Sequence, residues 1–74
     1  MIEIVDNIKN ARGIIIPFKD RSKYIVIKVR LNKNIERIIS KRILEIIASE
    51  KEDKELLKKV KKIVNETLKT YLII

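Results

Sequence analysis

The sequence has no cysteine, histidine, tryptophan or glutamine, and only one glycine, one proline and one methionine. Each absence closes a class of function. Without cysteine or histidine, the usual ligands of zinc, haem iron and iron–sulfur clusters are missing. Serine–histidine and cysteine–histidine catalysis are excluded for the same reason. A disulfide framework cannot form. One glycine cannot build a glycine-rich phosphate loop. The aromatic residues are Phe18, Tyr24 and Tyr71. Single-strand binders and RNA-recognition sheets stack bases on several rings, so both are disfavoured, and the KH signature GxxG is missing too. No apolar run approaches the length of a membrane span. The opening Met1-Ile2-Glu3-Ile4 lacks the basic start and apolar run of a secretory signal. These absences lead us to expect a soluble, cytoplasmic protein with no membrane association, no metal and no cofactor.

What the chain does contain is isoleucine and charge. Its 74 residues set an upper bound of one small domain, residues 1–74, with a marginal core of its own. An apolar share of 46% favours folding over disorder. Isoleucine occurs 17 times, against six leucines and five valines. A charged share of 38%, with few thermolabile residues, resembles a thermophile's composition, although five asparagines do not. The net charge of +8 is unevenly spread. Residues 9–42 and 58–69 are basic blocks, and residues 43–57 form an acidic spacer. Such a balance points to a polyanionic partner or to plain solubility.

The patterning predicts an α+β fold: a β-hairpin followed by two α-helices packed as a helical hairpin. Residues 1–13 are open between a third, short N-terminal strand (Ile2 and Ile4 alternating with Met1 and Glu3) and a helix ending at Gly13. Ile14-Ile15-Ile16 is β-branched throughout and favours a strand. Lys19-Asp20-Arg21-Ser22 is a loop of hairpin length. Residues 24–31 read as the second strand, with Ile25, Ile27, Val29 and Leu31 on one face and Tyr24, Val26, Lys28 and Arg30 on the other. Placing Phe18 opposite Lys23 puts Ile16 against Ile25 and Ile14 against Ile27. Pro17 marks an edge. Asn32 or Asn34 caps the first helix, whose apolar positions run from Ile35 to Ile47. The stripe stops at Ser49, and Ser49 with Glu52 has capping-box spacing for a second helix. One long kinked helix is the alternative. Glu55 lies four residues before Lys59, the favourable ion-pair order.

The first helix is apolar over about half its circumference, and Ile15 and Val26 add to the hairpin's outer face. Burying this excess suggests a homodimer, or docking as a subunit of a larger assembly, through Ile38, Ile43, Ile47, Tyr71, Leu72 and Ile74. A monomer with a few solvated isoleucines is the plainer alternative.

Few constellations could carry chemistry. Glu50, Glu52, Asp53 and Glu55 cluster at a solvated helix start, where helix-dipole complementation explains them better than acid–base work or a Mg²⁺ site. Ser22, Ser40 and Ser49 have no base partner. We expect no enzyme and no catalytic residue. The basic side chains are more informative. Arg21, Lys23, Lys28 and Arg30 belong to the hairpin, and a two-stranded ribbon can enter the major groove of DNA. Lys58, Lys59, Lys61 and Lys62 crowd the second helix, with Lys58 and Lys62 the candidate phosphate contacts. Solvated faces and edge lysines that block aggregation are the plain alternative.

The strand Tyr24-Ile25-Val26-Ile27-Lys28-Val29-Arg30-Leu31, running into a helix, and the ending Ile63-Val64-Asn65-Glu66-Thr67-Leu68-Lys69-Thr70-Tyr71-Leu72 together resemble ribbon-helix-helix DNA-binding proteins. The resemblance implies an obligate dimer that inserts a strand pair in the major groove, with Val26, Lys28 and Arg30 outward. The chain departs from that pattern in the longer stretch between strand and last helix, in Lys51-Glu52-Asp53 where a small-residue turn is usual, and in the preceding hairpin. The sequence expectation is a small basic dimeric protein that contacts double-stranded DNA, a transcriptional regulator or a chromatin-type coat. The competing class is a non-enzymatic accessory subunit docking its isoleucine-rich surface.

Overall fold

A computed structural model describes residues 1–72 of the chain. The order is β1 (Ile2–Val5), β2 (Ile14–Pro17), β3 (Tyr24–Ile27), α1 (Lys33–Ser49) and α2 (Asp53–Leu72). This is the expected α+β arrangement, and the third strand at the N-terminus forms. The sheet order is β1-β3-β2, with β3 antiparallel to both neighbours. The hairpin register is the one the patterning gives, with Ile14 opposite Ile27 and Ile16 opposite Ile25. The Phe18 amide donates to the Lys23 carbonyl at 3.0 Å and closes the loop. Pro17 lies on the edge strand β2, where a missing N–H removes no ladder bond that β3 needs.

One face of the sheet carries two rungs of isoleucine: Ile2, Ile27 and Ile14, then Ile4, Ile25 and Ile16. Both helices cover this face, α1 over β2 and α2 over β1. Ile35, Ile39 and Ile43 of α1 meet Leu56, Val60, Ile63 and Val64 of α2 and the isoleucine rungs in one core. The helix spacing of three and four explains why these residues, and not their neighbours, face the sheet.

β3 is shorter than the expected 24–31. Its partners run out: β1 starts at Ile2, and Gly13 turns the chain into β2 with φ 102°. The Lys28 amide makes a last bond to the Met1 carbonyl, and the Val29 amide folds back to the Ile27 carbonyl at 2.9 Å. Val29 and Leu31 still pack against the core, so the alternation outlasts the ladder.

The opposite face of the sheet is not open. Val26 lies there, between Glu3 and Ile15, yet is only 1% exposed. The segment between β1 and β2 crosses β3 on this side, and Asn7, Asn10 and Ala11 line a hollow together with Val26. Val26 is therefore corrected from outward to buried.

Asn32 is the residue that caps α1, its side chain accepting from the Ile35 amide at 2.9 Å. The helices are separate. Ser49 does not cap α2: it ends α1, with its hydroxyl donating to the Ile46 carbonyl at 3.2 Å. The Leu56 amide reaches the Glu52 carbonyl at the start of α2. Among the described residues, no helix is long and apolar enough to cross a membrane.

Candidate nucleic-acid interface

The six basic residues singled out from the sequence do not form one patch. Arg21 and Lys23 lie at the hairpin loop. Arg21 has φ 60°, a left-handed conformation that a non-glycine residue adopts at some cost. Asp20 builds that turn by accepting from the Ser22 amide and hydroxyl, which holds the Asp20 carboxyl below its ordinary range. Lys23 is turned to structure. Its ammonium donates to the Asp53 carboxylate at 2.7 Å, tying the hairpin to the start of α2 and raising the Lys23 pKa.

Lys28 and Arg30 lie at the other end of the sheet, beyond the last rung of β3. They are not two positions on one strand face, because no ladder continues past Ile27. Lys28 pairs with Glu3 at 2.9 Å. Arg30, with Arg12 and Lys28, lines a groove of about 490 Å³ that also touches Gly13, Val29 and Glu36. Arg12 was not legible as a member of this group, since the crossover alone brings it there.

Both hydrogen-bonding edges of β3 over Tyr24–Ile27 are used within the chain. A ribbon shared between two copies through those residues has no edge to use.

The helix α2 is different. Its buried residues Leu56, Val60, Ile63, Val64 and Thr67 fix which side faces the core. Counting about 100° per residue, the opposite side carries Lys54, Lys58 and Lys62 in one row and Lys61, Asn65 and Lys69 in the next. All six are exposed. Only Lys58 of this group has an ion pair among the described residues, to Glu55 at 3.5 Å. Lys59 points aside, to Glu50 at 2.7 Å, and its donated bond lowers the Glu50 pKa. Glu55 therefore pairs with Lys58 and not with the expected Lys59. Three of the four clustered acids, Glu50, Asp53 and Glu55, are engaged by lysines. Their place is the joint of the fold. On the flank facing α1, Arg42 reaches the Thr67 hydroxyl at 3.4 Å and the Glu66 carboxylate at 3.8 Å.

The residues expected at a partner interface also divide. Ile43 is fully enclosed by its own core and has no surface to offer, so that expectation is corrected. Ile38 and Ile47 are half-buried, and Ile47 packs on the core. Tyr71 is 49% exposed, as is Leu44, which lies beside the buried stripe Ile35, Ile39 and Ile43 of α1. Ile74 and the Leu72 side chain lie outside the described residues. Most of the wide apolar face of α1 is thus used within the chain's own core.

Comparisons with protein-family models, curated proteins and solved structures give no match to this chain.

Proposed function

We propose that the protein is a non-enzymatic binder of double-stranded DNA that holds the phosphate backbone through the outward lysines of α2. The observation that carries this reading is the double row Lys54, Lys58, Lys61, Lys62 and Lys69 on the side of α2 turned away from the core. Lysines stacked at three- and four-residue spacing repel each other, by about 0.2–0.5 kcal/mol per pair. A helix tolerates that cost with good reason where a polyanion relieves it. From Lys54 to Lys69 the stripe is about 22 Å long, the axial length of about six base pairs of duplex. Lysines are compact point charges suited to phosphates, and the chain offers few rings for stacking. Backbone capture with weak sequence preference is the mode this surface suits.

The test is duplex binding by fluorescence anisotropy across a sodium chloride series. Engagement of four or five phosphates gives a log–log slope of about −4. The triple variant Lys61→Gln, Lys62→Gln, Lys69→Gln should bind at least about tenfold more weakly with a slope reduced by about 3. Equal affinity for both proteins, or a slope shallower than −1, would overturn the proposal.

A further inference from the structure

A second basic feature lies away from the α2 stripe, at the end of the sheet where β3 stops. Three cations from two separate segments meet in one groove of about 490 Å³: Arg12 from the crossover, and Lys28 and Arg30 from the link between β3 and α1. Their backbone is held tightly. Gly13 has φ 102°, and any Cβ there would run into the Ile27 carbonyl oxygen. The Val29 amide turns back onto the Ile27 carbonyl, and the Lys28 amide is bound to Met1. These contacts hold Lys28 itself and the neighbours of Arg12 and Arg30, Gly13 and Val29. Glu36 lines the same groove but makes no ion pair with any of the three. Lys28 is already held by Glu3, so its charge is partly offset. Arg12 and Arg30 have no carboxylate partner among the described residues. Two arginines facing one groove without a carboxylate partner present several N–H donors suited to a tetrahedral oxyanion, which guanidinium groups bind in a forked manner.

We propose that this groove is a phosphoryl-binding site, with Arg12 and Arg30 as its donors and Lys28 as a supporting charge. The groove is open to solvent and admits either a diphosphate or a 5′-mononucleotide. Two sources share that chemistry: a free phosphorylated small molecule, and the 5′-phosphate at the end of a nucleic-acid strand. The site does not depend on the α2 stripe.

The experiment follows backbone and arginine side-chain N–H signals by NMR while sodium pyrophosphate is added. Saturable shifts confined to residues 12–13 and 28–30 are expected. In the Arg12→Gln, Arg30→Gln double variant, both at exposed positions, the apparent affinity should fall at least about tenfold. In the triple variant of the α2 lysines it should stay unchanged, so failure of the groove and failure of the stripe are told apart. Linear, non-saturating shifts spread over all cationic residues would overturn the proposal. So would undiminished binding by the arginine variant, or an equal loss in the lysine variant. Repeating the titration with a 5′-mononucleotide, and with duplexes with and without a 5′-phosphate, identifies the source by which ligand saturates the groove at the lower concentration.

Discussion

Gly13 is the residue on which the sheet turns. Its φ of 102° and its closeness to the Ile27 carbonyl leave no room for a side chain. Gly13→Ala should lower unfolding free energy by about 1–3 kcal/mol in urea denaturation. An unchanged midpoint would mean that the crossover can be rerouted. The paired ions set the pH behaviour at the same scale. Glu50 is held below the ordinary glutamate range by Lys59, so its contribution is present above that range and is lost as pH falls through the lowered value. Thermal melts of Glu50→Gln should therefore match wild type more closely near pH 3 than near pH 7. Lys23 has the opposite sign. Asp53 raises its pKa, so on the lysine side the tie is intact at neutral pH and is lost as pH rises through the raised value. None of these roles was visible in the residues alone. Lys23 and Asp53 are 30 positions apart, and nothing local links them.

At the scale of elements, α1 shows how little a wide apolar face says about a partner. Ile43 and Leu44 are adjacent in sequence and opposite in setting, one with no exposure and the other 49% exposed. Ile43→Ala should cost about 2–5 kcal/mol of stability, and Leu44→Ala should stay within about 0.5 kcal/mol of wild type. Equal effects in chemical denaturation would show that this face packs otherwise. On α2, Lys62→Gln removes repulsion with Lys58 and should raise stability by about 0.2–0.5 kcal/mol. The same change should reduce the salt slope of duplex binding by about 0.9. The gain in stability follows from relieved repulsion alone, so the discriminating outcome is the affinity: a surface lysine kept for solubility would leave duplex binding and its salt slope unchanged.

At the scale of the molecule, what was legible in the sequence followed from period and loop length. The hairpin register came from alternation on both sides of a four-residue loop, and the helix break came from the apolar stripe that stops at Ser49. The length of β3 was not legible, because a strand ends where its neighbours end, and those neighbours begin at Ile2 and Ile14. The burial of Val26 was hidden for a related reason: the covering crossover has no period of its own. Likewise, the cluster Lys58 to Lys62 stands out in the sequence, whereas Lys54 and Lys69 join its rows only once the buried side of α2 is known, and Arg12 enters the groove only through the route of residues 6–13.

That route has a consequence for assembly in time. β1 is sewn to β3, about twenty residues further along, and β2 closes the other side. The hairpin and helices can meet first, through contacts near in sequence, and the leading strand is then a late guest. Trimming it away would strip one side of Tyr24–Ile27 of its backbone partners and leave bare amides beside fully apolar side chains. A protein so shortened should clump with its own kind on warming long before it melts.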